Sequence, residues 1–439
     1  MLVLKFGGTS VGSAARIKEV AKLVNSSQKK VIVLSAMSGT TNTLVEIAEY
    51  LYQKEHTKAS DAIKTLEQSY AKVIAELFTS DVFKKKGNDL IQSHFSHIQS
   101  FTQDMFTLFE EKAILAQGEL IATALLHYYF KEQNIKSVLI PALNFMRTDK
   151  DGEPDLFYIQ ENINREINNN ANNSIFITQG FICRNAFGEI DNLRRGGSDY
   201  SASLIGVACK AQEIQIWTDI DGMHNNDPRF VENTTPLTNL SFDEAAELAY
   251  FGAKILHPAS VQPCKVANIP VRLKNTLAPE ANGSLISAEI CGKGIKSIAA
   301  KDNITAIKIK SGRMLLAHGF LRKVFEIFET YKTPIDMITT SEVAVSVTID
   351  DTKYLNDIVD ELKKYGSVAV DQDLSIVCVV GDLIAESKGY AFKVMEALQN
   401  ISIRMISYGG SKHNVSLLVN TSDKKTALNA LHQNLFNRV

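Results

Sequence analysis

Short runs of β-branched and aliphatic residues alternate with amphipathic stretches through the first two thirds of the chain. LVLKF, KKVIVLSA, KSVLIPA, NSIFITQGF and EIQIWTD are each bounded by turn residues, which predicts strands. Between them apolar positions recur at helical spacing. Ile17, Val20, Ala21 and Val24 share one face, as do Leu44, Ile47, Ala48 and Leu51. From Ser60 to about Gln133 the pattern is nearly all helical, which predicts a helical insert beside the sheet. SFDEAAELAYFGAK opens with Ser241 and Glu244 at capping-box spacing, so a helix is expected to end near Lys254. Strand and helix in alternation predict an α/β fold, a mostly parallel open sheet with helices on both faces.

The pattern changes at NGSLISAEICGKGIKSIAAKDN, where Gly, Ser and Lys accumulate. Beyond it the chain reads as two copies of one unit. HGFLRKVFEIFETYKTPIDMITTSEVAVSVTID gives helix, strand, turn and strand, and SKGYAFKVMEALQNISIRMISYGGSKHNVSLLVN repeats that order with a longer second turn. The expected domains are a catalytic domain at 1–292 and two small α+β domains at 303–370 and 371–439. A chain of 439 residues is long enough for several cores.

Composition excludes several partners. Lys and Arg total 47 against 49 acidic residues, so no net basic field draws nucleic acid or a membrane surface. No signal sequence and no apolar run of membrane-spanning length is visible, and a cytoplasmic location is expected. Cys183, Cys209, Cys264, Cys291 and Cys378 are scattered without CxxC spacing, against both a disulfide framework and a zinc site.

Polar clusters follow four of the predicted strands, where open α/β sheets bind ligands. They are Lys5, Gly7, Gly8, Thr9 and Ser10; Ser38 to Asn42; RRGGSDYSAS from Arg194; and WTDIDGMHNNDPR from Trp217. Any one of them could be a turn or a helix cap. Two Gly-Gly loops, a lysine, an arginine and several carboxylates on one sheet edge point instead to a site for a phosphorylated ligand. GxxxxGK[ST], GxGxxG and HExxH are absent, which removes the usual NTPase, dinucleotide and metalloprotease readings.

KFGGTSVG, SAMSGTTN, QGE, QGF, RRGGSDYSA, WTDIDGM with DPR, and SFDEAAELAYFGAKILHP occur in series. In that order they resemble the aspartate kinases of the amino acid kinase family, and the tail resembles their paired ACT regulatory domains. The resemblance implies transfer of the γ-phosphoryl group of MgATP to the β-carboxylate of L-aspartate, giving 4-phospho-L-aspartate, the first step toward lysine, threonine and methionine. It makes Lys5 and Asp199 catalytic, Asp199 by orienting lysines and hydroxyls or by contacting magnesium indirectly. Thr41, Glu119, Phe181, Arg195 and Ser198 would form the aspartate pocket, with Arg195 on the α-carboxylate and Glu119 on the α-ammonium. Lys5, Phe6, Gly7, Gly8, Ser10, Thr218, Asp219, Asp221, His224, Arg229, Lys254 and Ile255 would hold ATP. No metal ligand of the protein's own is expected; Mg2+ enters with the nucleotide. Arg194, commonly glycine in the family, and His224, usually tyrosine, depart from the pattern.

SGRMLLAHGFLRKVF with IDMITTSEVAVSVTID is similar to the lysine-sensitive class. That likeness places an L-lysine effector among Met314, Ala317, Phe320, Leu321, Asp336, Ser341 and Glu342, where two carboxylates suit a cation. It also implies a homodimer or a dimer of dimers through the ACT domains, and a monofunctional enzyme. Two other readings stay open: a kinase of the same family acting on glutamate, carbamate or a nucleotide monophosphate, and a catalytically silent amino acid sensor.

Overall fold

The computed structural model describes residues 1–103, 105–193, 196–252, 256–289, 294–311, 319–382, 386 and 388–436. Arg194, Arg195, Lys254, Ile255, Met314 and Ala317 lie outside the described residues. The chain divides into two compact units. The first comprises Met1–Met223, Thr238–Phe242 and Ile255–Glu289; the second comprises His224–Leu237, Asp243–Lys254 and Ile290–Val439.

In the first unit, β1 (Leu2–Phe6), β2 (Lys30–Leu34), β3 (Ser137–Leu139) and β4 (Ile175–Gln179) fall where the β-branched runs place them. A separate hairpin pairs β5 (Ile182–Arg184) with β6 (Ile190–Asn192). With β7 (Glu213–Thr218), β8 (Asn239–Ser241), β9 (Val271–Asn275) and β10 (Ser284–Ser287), the main sheet has the order β3-β4-β2-β1-β7-β9-β10-β8. Its pairs are parallel except β9 with β10.

The helices of this unit are α1 (Ala14–Val24), α2 (Thr40–Tyr52), α3 (His56–Leu77), α4 (Asp81–Ser100), α5 (Leu108–Glu132), α6 (Leu156–Asn169) and α7 (Gly197–Ala208). Both expected apolar faces, Ile17 to Val24 and Leu44 to Leu51, are buried. Each large aliphatic side chain so placed stabilises the fold by about 1.5–3 kcal/mol. The insert is the three helices α3 to α5, whose Ile63, Tyr70, Phe95 and Leu125 join the sheet's own core. Among the described residues no helix is long and apolar enough to cross a membrane.

β8 runs directly into α8 (Phe242–Tyr250), which belongs to the second unit; α9 (Pro258–Ala267) returns to the first. α8 stops short of the expected end near Lys254. Gly252 adopts φ +135°, where a side chain is strained, and a Cβ there would lie 2.0 Å from the Ala300 carbonyl oxygen.

The second unit is a six-stranded antiparallel sheet. Its elements are β11 (Gly294–Lys310), α10 (Phe320–Thr330), β12 (Ile338–Thr340), β13 (Ala344–Ile349), α11 (Leu355–Lys363), β14 (Ser367–Asp382), α12 (Tyr390–Ala397), β15 (Met405–Tyr408), β16 (Asn414–Asn420) and α13 (Lys424–Phe436). The order is β12-β13-β11-β14-β16-β15. β11 and β14 pair from Gly294 opposite Asp382 to Lys310 opposite Ser367, with register shifts between Lys301 and Ala306. One core gathers Ile307, Ile309, Val324 and Val345; the other gathers Ile298, Val377, Val394 and Leu428. The repeated pattern predicts copies in sequence, whereas here the first copy is nested inside the second. A single long strand serves both cores because its two halves face different helices.

Candidate active site

β1, β2, β4 and β7 are parallel, so the loops after them leave the same end of the sheet. Backbone hydrogen bonds tie these loops together. Gly7 donates to the Trp217 carbonyl (3.2 Å), Ser38 to Gly8 (3.2 Å) and Gly180 to Leu34 (2.9 Å). Lys5, at the fourth position of β1, reaches Asp199 in the first turn of α7, with Nζ 2.8 Å from Oδ1. Both side chains are mostly shielded, 12% and 16% exposed, so the pair is screened far less than a surface one.

Glu119 on α5 is buried, and one of its carboxylate oxygens, Oε2, has no hydrogen-bond partner. Burial pushes its pKa up to about 7, against the opposing pull of a hydrogen bond from the Ala36 backbone and the Lys5 ammonium. A buried carboxyl with an open acceptor suits a ligand ammonium. Ser198, in α7's first turn, is also buried. Its close neighbour is Gly180, where a Cβ would stand 2.4 Å from Ser198 Cβ. Phe181 follows at φ +66°, a conformation that costs a non-glycine residue about 1–3 kcal/mol. It is fixed by its own N–H, which donates to Ser201 Oγ (2.8 Å). Thr41 is exposed on the first turn of α2, while the adjoining Thr40 is buried and bonded to the Tyr70 hydroxyl (2.9 Å). A pocket of about 320 Å³ opens there between Ser38, Gly39, Thr40, Ser69 and Tyr70; none of Lys5, Glu119 and Asp199 lines it.

On the expected nucleotide side, Phe6 is buried and stacked on Trp217, ring centroids 5.8 Å apart. Ser10 is buried and bonded to the Trp217 carbonyl and to Thr276, which in turn donates to the Thr218 carbonyl (2.6 Å). Thr276 had no motif to announce it; its signal was only its place after an apolar run, at the end of a strand beside β7. Asp219 is exposed and Asp221 half-buried in the loop after β7. His224 and Arg229 belong to the second unit. There His224 Nδ1 meets Thr234 Oγ1 (2.9 Å), and Arg229 grips Asp227 through Nε and Nη2. Among the described residues no group of three or more His, Cys, Asp or Glu side chains converges as a metal cage.

Of the expected effector residues, Phe320 opens α10 and is buried, whereas Leu321, Ser341 and Glu342 are exposed. Asp336 is almost fully enclosed, its side chain 1% exposed against Lys301.

This geometry fits what is found on comparison with known proteins. The profile of the amino acid kinase family matches residues 1–275. The chain belongs to that family. An ACT domain profile matches residues 377–435 of the same amino acid kinase. Lysine-sensitive aspartokinase 3 of Escherichia coli (strain K12) is 33% identical over 464 aligned residues, covering 99% of each chain. The crystal structure of E. coli aspartokinase III with aspartate and ADP (R-state) superposes with TM-score 0.85 at 32% identity, covering 99% of this amino acid kinase and 100% of that chain. The same enzyme with lysine and aspartate (T-state) gives TM-score 0.84 at 32% identity over 99% of both.

Proposed function

We propose that this amino acid kinase is an aspartate kinase, transferring the γ-phosphoryl group of MgATP to the β-carboxylate of L-aspartate under feedback control by L-lysine. The observation that carries the reading is the Lys5–Asp199 ion pair in one unit with the buried, half-unpartnered Glu119. The acceptor carboxylate is already an anion, so it needs no general base; the barrier is the approach of two negative groups. Lys5 supplies fixed positive charge to the phosphoryl group in flight, held in place by Asp199. Glu119 takes the aspartate ammonium, Arg195 its α-carboxylate, and Ser198, Phe181 and Thr41 complete the pocket, which fixes the β-carboxylate for in-line attack.

The backbone after Gly7 and Gly8, with Phe6, Ser10, Thr218, Asp219, Asp221, His224, Arg229, Lys254 and Ile255, is assigned to ATP. Mg2+ would enter with the nucleotide's phosphates and neutralise their charge, and Asp199 would orient Lys5 or meet the ion indirectly. The catalytic domain of this reading is 1–292, and beyond it an ACT copy at about 303–370 is nested inside one that joins the start of β11 to 371–439. Met314, Ala317, Phe320, Leu321, Asp336, Ser341 and Glu342 form the lysine site of this reading. Assembly through the ACT domains, as a dimer or a dimer of dimers, is supported by exposed Ile406 and Tyr408 on the edge strand β15. Among the described residues four cysteines are free, three of them buried, which supports a cytoplasmic location.

The test is ADP release with MgATP and L-aspartate, hydroxylamine trapping the acyl phosphate, while L-lysine is titrated. Aspartate-dependent turnover suppressed by lysine supports both halves. Turnover indifferent to lysine removes the effector, and absent turnover with lysine binding intact leaves a sensor.

A further inference from the structure

α8 is bound to the six-stranded sheet of its own unit by three side chains spaced along one helical face. Glu244 Oε2 accepts from Lys296 Nζ on β11 (2.8 Å), Glu247 accepts from Asn414 on β16, and the Tyr250 hydroxyl donates to Asp336 Oδ1 (2.9 Å). The first two contacts fall on strand segments of the second ACT copy. The third falls on Asp336, just before β12 of the first copy. Asp336 Oδ1 also takes the Lys301 ammonium (2.6 Å), which reaches Asp350 (2.8 Å) and sits 4.7 Å from the centroid of the Tyr250 ring. The other oxygen, Asp336 Oδ2, is buried with no hydrogen-bond partner.

We propose that Tyr250 is a positioning residue, through which the set of cations held by Asp336 is transmitted along α8 to the phosphoryl-transfer site. The inference rests on the lysine-effector reading. An effector ammonium that takes up the open oxygen competes with Lys301 and Tyr250 for one carboxylate, since each new donor weakens the hold of the others. Tyr250 is the part of that cluster mounted on α8. In the chain, α8 starts directly after β8 of the catalytic sheet, and Lys254, assigned above to ATP, follows Tyr250 by four residues. A tyrosine hydroxyl shared with an effector carboxylate therefore couples lysine to the nucleotide rather than to aspartate.

Tyr250→Phe keeps the ring beside Lys301 and deletes only the hydroxyl. In the full-length enzyme, calorimetry is expected to find lysine affinity within about threefold of wild type, while half-inhibition needs at least about tenfold more lysine. Without lysine the KM for MgATP rises about threefold and that for aspartate stays unchanged. Inhibition at the wild-type lysine concentration overturns the proposal. Loss of lysine binding in Tyr250→Phe also overturns it, because Tyr250 would then be a ligand. If wild-type enzyme fails to bind lysine, the effector reading falls, and the MgATP constants decide the link alone: an unchanged KM for MgATP in Tyr250→Phe sinks it.

Discussion

Lys5 and Glu119 carry opposite charges on two elements of one sheet edge, and each has a distinct signature when removed. If Lys5 is the cation that meets the moving phosphoryl group, as proposed, Lys5→Ala lowers kcat by about 10²–10³ or more, while calorimetry still shows lysine binding. Loss of both would contradict the separation of chemistry from regulation. Glu119 titrates near pH 7. As a carboxyl whose folded pKa lies above its unfolded one, it stabilises the fold most below about pH 4.5 and loses that contribution as pH rises toward 7. A Glu119→Gln variant should therefore gain stability over wild type between about pH 5 and pH 8, on the order of 3 kcal/mol in denaturant titrations. Binding runs the other way, because only the carboxylate holds an ammonium. The kcat/KM for aspartate should climb with pH to a plateau above about 7 in wild type, and that limb should vanish in Glu119→Gln. The motif QGE drew attention to Glu119, but its burial could not be read locally, since the walls around it come from Ala36 and from β1. Thr276 and Tyr70 went unannounced for the same reason: their partners, Ser10 and Thr40, are remote in sequence.

Elements were legible where local chemistry decides them. The strands β1, β2, β3, β4 and β7 are short β-branched runs between turn residues, and the buried faces of α1 and α2 follow the helical period. The end of α8 was not legible, because it is set by a contact with Ala300, nearly fifty residues on. Gly252→Ala tests that account. A methyl group cannot occupy the space next to the Ala300 carbonyl, and the positive φ adds strain, so a loss of about 2–4 kcal/mol and a lower Tm are expected. If Gly252→Ala melts like wild type, α8 is ended by something else. The nested arrangement of the two ACT copies was equally out of reach, since a repeat reveals likeness and not which strand pairs with which.

For the whole molecule, the division into units does not follow the family boundary. The segments 224–237 and 243–254 lie inside the stretch matched by the amino acid kinase profile, yet they pack with the C-terminal unit. Val231 sits in the same core as Ile298, Val377 and Leu428. A chain ending at Glu289 would leave Val231 and the charged face of α8 without partners. It should aggregate on expression or melt well below the full-length enzyme; a truncated protein that is monomeric and equally stable would refute this.

The nesting also dictates an order of events during synthesis. A chain emerging from its N-terminus can complete the parallel sheet early, but β11 waits for β14, and the segments bearing His224, Arg229 and α8 wait for the sheet those two strands found. Polypeptide that has left the ribosome only as far as β10 carries these segments with no sheet for them to pack on. Newly made molecules thus finish the sheet of the first unit before that of the second, and segments 224–237 and 243–254 have no core to join until β14 has been made.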